Sequence, residues 1–322
     1  MPLILSRPTD AAKMAYLKSL FSEVYLKDIV ERKKIKREDV LSAILDLLCS
    51  SIGSLTNPTK VAATINTVQK RSGENVVALN TVKAYMDHLS DSFLFTECKR
   101  WDVKGKSYFD YPNKYYCEDI GLRNARIGFR QQEMTHIMEN IIFNELMIRE
   151  CAVDIGIVYG NEKNTKGKVV PVAREIDFIA TSGGNKTYIQ SAYALGTAEK
   201  AITENKPFAL TGDSFPKIIV RHDIRKRWYD DNGILNTAER AAAAIGRVDG
   251  VPFPAFLLGQ IAVQFMEIQM EELLAVTHLR LRRRWFLRLY GRSFSRRRRG
   301  IFFHNSYFDF CGGFRIGRRA FL

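Results

Sequence analysis

At 322 residues, with 46% hydrophobic and 26% charged side chains, the chain has the composition of a folded protein of two or three domains and not of a disordered or fibrous one. A formal net charge of +14 points to polyanions, yet thirteen Arg against the single acid Asp309 lie between Arg280 and Arg319, which leaves +2 for the rest. Cys49, Cys98, Cys117, Cys151 and Cys311 show no metal-ligand spacing, which excludes a zinc ribbon and fits buried thiols in a reducing compartment.

The opening Met-Pro-Leu-Ile-Leu-Ser-Arg has no charged leader and too short an apolar run for a signal peptide, so a cytoplasmic protein is expected. Lys13 to Lys33 carries Tyr16, Leu17, Leu20, Phe21, Val24, Ile29 and Val30 at a period near 3.6, which predicts an amphipathic helix. Val40 to Leu48 repeats that spacing, Asn57-Pro58 caps a helix over Thr59 to Lys70, and Asn80 is expected to cap another whose apolar face is Val82, Tyr85, Met86 and Leu89. Phe93 to Trp101 and Lys106 to Tyr116 then read as two strands around a Val103-Lys104-Gly105 turn. Three helices and a ribbon follow the order of a winged helix-turn-helix. In a DNA-binding reading, Lys83, Lys99, Arg100, Lys104 and Lys106 contact nucleic acid. Asp87 and Asp91 on the same helix would repel phosphate, so the other reading is a module that packs between domains.

Gln131 to Arg149 is expected to be a helix that buries Met134, Ile137, Met138, Ile141, Ile142 and Leu146, with Glu139 beside that stripe. A carboxylate there is costly unless it is paired or bound to a cation, or unless it lies at the edge and bridges outward. Strands are expected over Ala152 to Gly160, Glu175 to Thr181, Thr187 to Leu195 and Lys217 to Val220, with a crossing helix over Thr197 to Asn205 and a surface loop over Asn161 to Lys168. Ser182-Gly183-Gly184-Asn185 is turn chemistry. Alternation along a strand puts Glu175 and Asp177 on one face, and Gln190 and Ala192 on one face of the next strand. The sum is a mixed α/β chain: an N-terminal helical and winged-helix module, then a restriction-endonuclease-like α/β domain.

Glu139, the Glu175-Ile176-Asp177-Phe178 box and the following strand resemble the core of the PD-(D/E)xK nuclease superfamily. More narrowly, about 1–235 resembles the C-terminal part of a bacterial AAA+ type ATPase family whose last domain has this nuclease-like fold. Lys114 to Asn124 matches the family's entry into that last domain, and this chain begins at the Met-Pro that closes the family's nucleotide-binding module. The resemblance implies that Glu139, Asp177 and the residue at Gln190 form the catalytic set and hold Mg²⁺, and that a Lys stands two positions later. Here Gln190 replaces the acid and Ala192 the Lys, which implies a degenerate site with weak Mg²⁺ binding at best. Lys186 has the right parity but lies about 20 Å along the strand from position 192. No GxxxxGK[ST] phosphate loop occurs, so no ATP site is expected in this chain.

Resemblance ends near Asn236. Lys226 is the last lysine, and beyond it come Ala241 to Ala244, an apolar run over Val251 to Met266 too short to span a membrane, and the Arg-rich segment. Three readings compete for this tail: a basic amphipathic helix over Glu267 to Tyr290, an irregular disordered segment, and an aberrant frame or fusion. The expected organisation is 1–36 as a helical remnant after an ATPase module, 37–117 winged-helix-like, 118–236 nuclease-like and 237–322 tail. The function expected is that of a truncated ATPase-family protein with a DNA-related winged helix and little or no nuclease activity. Its expected partners are DNA, a separate ATPase module or a full-length paralogue, with no transmembrane segment and an unknown small-molecule ligand. An active nuclease with a lysine relocated from elsewhere, and a non-catalytic nucleic-acid or protein interaction module, stand as alternatives.

Overall fold

A computed structural model describes residues 4–238, apart from positions 5, 74, 131, 132 and 164. Cys311 and every expectation for the tail beyond position 238 lie outside the described residues. The described chain is a mixed α/β protein with a three-stranded and an eight-stranded sheet.

Helical structure runs from Asp10 to Lys33 as α1 (Asp10–Ser19), a π-helical stretch (Leu20–Leu26) and α2 (Lys27–Lys33). α3 (Glu38–Ser50) and α4 (Pro58–Ser72) follow, and the Asn57 side chain accepts from the Thr59 N–H at the start of α4 as the Asn-Pro signal predicts. α5 (Leu79–Asp91) starts earlier than expected: its N-cap is Ala78, and Asn80 lies inside the first turn. The cause is upstream. Asn66 on α4 takes the Val77 N–H on its Oδ1 (2.7 Å) and donates to the Val77 carbonyl (3.0 Å), which holds the chain extended until just before Leu79.

The ribbon also departs from the expected single hairpin. β2 (Phe95–Cys98) pairs with β5 (Asn113–Cys117), and β1 (Leu55–Thr56) covers the other side of β5. Beyond Cys98 the ribbon changes sheets. β3 (Arg100–Asp102) and β4 (Ser107–Tyr108) still pair with each other, but β3 runs parallel to β6 at the edge of the large sheet. The Ile155 N–H donates to the Lys99 carbonyl at 2.8 Å, at the point where the strand crosses over.

After α6 (Ile120–Arg126) and α7 (Met134–Ile148) come β6 (Ala152–Lys163), β7 (Val169–Ser182) and β8 (Asn185–Ala192). α8 (Ala198–Ala209) crosses over to β9 (Lys217–Arg221), which is parallel to β8, and β10 (Trp228–Tyr229) and β11 (Leu235–Ala238) complete the order β10-β11-β9-β8-β7-β6-β3-β4. The expected loop over Asn161 to Lys168 is shortened at its start: β6 continues through Lys163, paired with Val169 of β7, and 165–168 stay outside the strands as the turn between them. Met134, expected in the core, is 39% exposed.

The large sheet is covered on both faces. Met138, Phe143 and Leu146 of α7 pack on Ile155, Ile157, Phe178, Ile189 and Val220, while Phe208 of α8 packs with Val158, Ile176, Ile179, Tyr188 and Ile219. One irregularity sets the site. Asp154 pairs with Ile179 and Gly156 with Ile176, so Asp177 and Phe178 together stand opposite Ile155. Such a bulge turns the strand by one residue. Phe178 is thereby delivered to the α7 face, although Ile176 belongs to the α8 face. Gly156 makes the close approach possible, because a Cβ there would come within 3.0 Å of the Ile176 Cβ.

Candidate functional site

β5 lies between two layers and sends alternate side chains to opposite sides. Lys114 and Tyr116 point to one side, where α7 supplies Glu139; Asn113 and Tyr115 point to the other, where both donate to Glu97 Oε1. α7 is clamped to this strand. Asn140 accepts the Cys117 N–H on Oδ1 (2.9 Å) and donates to the Cys117 carbonyl (2.8 Å), which also receives the Asn144 amide (3.0 Å). Both asparagines are buried, so the polar end of β5 is satisfied inside the protein.

Lys114 is the centre of the resulting cluster. Its ammonium lies 2.9 Å from Glu139 Oε1, 2.6 Å from Glu175 Oε1 and 3.9 Å from Asp177 Oδ1, with only 6% of its side chain exposed. The Tyr116 hydroxyl donates to the same Glu139 oxygen at 2.6 Å. Ser191 N–H donates to Asp177 Oδ2 at 2.7 Å. Gly53 closes the end: its N–H donates to the Tyr115 carbonyl, its φ is +68°, and a Cβ there would sit 3.3 Å from Glu139 Oε1.

Three carboxylates face one ammonium, and the charges do not balance. Burial opposes the charged form of Lys114, but Glu139, Asp177 and Glu175 outweigh it and raise its pKa above the ordinary lysine value. Burial first, and the neighbouring Glu139 second, push Asp177 well above the usual carboxylate range. The two shifts are compatible because the ammonium sits closer to Glu139 and Glu175, leaving Asp177 as the surplus carboxyl that retains a proton. Burial, followed by Glu139, likewise raises Tyr116 and keeps it a neutral donor.

Glu139 turns inward onto Lys114 and Tyr116 and does not bridge outward at the helix edge. Gln190 does not join it. The bulge at Asp177 and Phe178 separates their faces, and the Gln190 amide donates to Glu204 on α8 (3.0 Å) while its Oε1 accepts the Asp177 N–H (3.3 Å). Burial raises Glu204 above the normal carboxylate value. Ala192 is 4% exposed within the apolar core on the α8 side, and the Lys186 ammonium lies 5.6 Å from the centroid of the Phe215 ring, outside the cluster.

Lys114, Tyr116 and Glu204 were not singled out by sequence. The signal for the first two was a lysine and a tyrosine at i and i+2 in an apolar strand, Asn113-Lys114-Tyr115-Tyr116-Cys117. Glu139, Glu175 and Asp177 offer the hard oxygens that Mg²⁺ prefers, but their common neighbour is an ammonium. Among the described residues no three or more His, Cys, Asp or Glu side chains are placed to hold one metal ion, so the donor set as arranged does not fit it. The buried thiols Cys49, Cys98, Cys117 and Cys151 are free, with burial raising all four pKa values, so they are poor nucleophiles.

The expected nucleic-acid residues divide in two. Lys83 and Lys99 line a cleft of about 630 Å³ together with Glu97, Asn113 and Asp154. Lys104 and Lys106 are exposed on the β3–β4 turn, and the Arg100 guanidinium lies 4.9 Å from the Phe109 ring centroid.

Residues 1–133 match a family described as a domain of unknown function (DUF8612). The chain is 32% identical over 187 residues to an uncharacterized protein of Haemophilus influenzae, covering 58% of this chain and 42% of that one. It is 23% identical over 188 residues to uncharacterized protein MJ1544 of Methanocaldococcus jannaschii, covering 58% of this chain and 38% of that one. The chain thus spans about two fifths of the length of these curated relatives. No helix among the described residues is long and apolar enough to cross a membrane.

Proposed function

We propose that the chain is the non-ATPase portion of an AAA+ type protein, a winged-helix-like module joined to a PD-(D/E)xK nuclease-like domain whose site has become a structural ion cluster. The observation that carries this reading is the Lys114 ammonium, buried among Glu139, Glu175 and Asp177. Phosphodiester hydrolysis of this class needs a hard cation on the carboxylates and a positively charged group that reaches the phosphate. Here the ammonium stands among the carboxylates, and its burial keeps it from a phosphate in solution. Lys114 instead ties β5 of the small sheet to β7 of the large one. The function that remains is a scaffold that holds a DNA-related or partner-binding module in place beside an ATPase.

A second reading has one observation in its favour: Lys114 supplies from β5 the lysine lacking at Ala192, as in an active Mg²⁺-dependent nuclease with a relocated lysine. The two readings part on a cleavage assay. Purified full chain incubated with single- and double-stranded DNA and RNA in Mg²⁺ or Mn²⁺ should leave every substrate intact. Cleavage that disappears in Asp177→Ala would overturn the scaffold reading.

A further inference from the structure

On the side of β5 away from the ion cluster, we propose that the open cleft binds a nucleotide unit, with its base against Tyr108 and Tyr111 and its phosphate at Lys83 and Lys99. The cleft measures about 630 Å³, inside the ~300–1,000 Å³ typical of small-ligand sites. Its walls include Tyr108 (56% exposed), Tyr111 (37% exposed) and Phe109, an amount of open aromatic surface that water does not favour. The Lys83 ammonium lies 5.2 Å from the Tyr111 ring centroid, so a cation and a stacking face adjoin.

The polar groups narrow the chemistry. Asn113 is 1% exposed, and its Nδ2 donates to Glu97 Oε1 and to the Asp110 carbonyl, both at 2.9 Å. Its Oδ1 is buried with no partner, an acceptor that calls for a donor. Glu97, Asp110 and Asp154 also line the cleft, so three carboxylates meet two ammonium groups there. That balance disfavours a bare polyanion such as pyrophosphate. It suits a ligand that carries N–H donors and an aromatic face at one end and a phosphate at the other, which is the chemistry of a nucleotide. The unit is either a free nucleotide or one nucleotide of a single strand.

The cleft uses none of Lys114, Glu139 or Asp177, so its fate is separate from that of the ion cluster. Isothermal titration of the full chain with AMP, with a short single-stranded oligodeoxyadenylate and with pyrophosphate tests it. Saturable binding of AMP or the oligonucleotide, without pyrophosphate binding, is expected, and the tighter of the two identifies the source. Lys99→Ala and Tyr111→Ala should each weaken that binding about tenfold, the size of one stacking or phosphate contact, while Lys60→Ala on the exposed face of α4 leaves it unchanged. Lys99 is exposed, so its variant folds even if that of Tyr111 does not. Absence of binding up to millimolar ligand, or affinity unaltered by Lys99→Ala, would overturn the proposal.

Discussion

Lys114 shows how a single residue can settle a site that its own neighbours in sequence do not reveal. It meets Glu139 and Glu175 across 25 and 61 positions of chain, contacts that no local spacing encodes. Replacing it by Met leaves two carboxylates without their cation, and such a break in a buried pair costs roughly 3–5 kcal/mol. Urea unfolding of Lys114→Met should show a loss of that size; a loss under about 1 kcal/mol would mean that the ammonium is not held as described. Asp177 gives a pH signature. Its folded pKa lies well above 3.8, so at intermediate pH the folded chain binds a proton that the unfolded chain has released. The contribution is fully present below 3.8 and is lost as pH rises through the folded value, at up to about 1.4 kcal/mol per pH unit. Asp177→Asn removes this slope, so its stability relative to the parent chain should increase between pH 5 and pH 7. A parallel pH dependence in the two proteins would show that Asp177 is ionised in the fold. Glu139 was legible as a costly carboxylate on a buried helix face, but its partners were not.

Helices and strands were predictable where an apolar period or a turn motif is local, as with Asn57-Pro58 at α4 and the Gly183-Gly184 turn between β7 and β8. The bulge in β7 was not, because Glu175 to Phe178 reads as a plain alternating strand and the extra residue shows only against Ile155 on β6. That bulge parts Asp177 from Gln190, which an unbroken alternation would have left on one face. The clamp of α7 on β5 is a second feature of pairing between elements. Asn140→Ala exposes the Cys117 N–H to an apolar void and removes one of two donors to its carbonyl, so a loss of roughly 1–3 kcal/mol is expected in equilibrium unfolding. Phe143 stacks on Tyr116 with ring centroids 4.3 Å apart and is 1% exposed, so Phe143→Ala should cost roughly 3–5 kcal/mol. A variant as stable as the parent chain would show that α7 does not pack on β5 in this way.

At the scale of the molecule, the expected boundary between a module ending at 117 and another starting at 118 does not separate two sets of strands. β3 and β4, from the first segment, extend the large sheet of the second, and Lys114 from β5 is bound by carboxylates of α7 and β7. Charge and hydropathy along the chain identified the α/β class but could not show this interlocking, because the ribbon that spans both sheets reads as one hairpin. The central claim of the proposed function is that Lys114 is the resident cation of the cluster. It is tested most directly by the melting temperature of the full chain in EDTA and in millimolar Mn²⁺ or Mg²⁺. The account predicts the same melting temperature in all three; a rise of several degrees with either metal, abolished by Asp177→Asn, would contradict it.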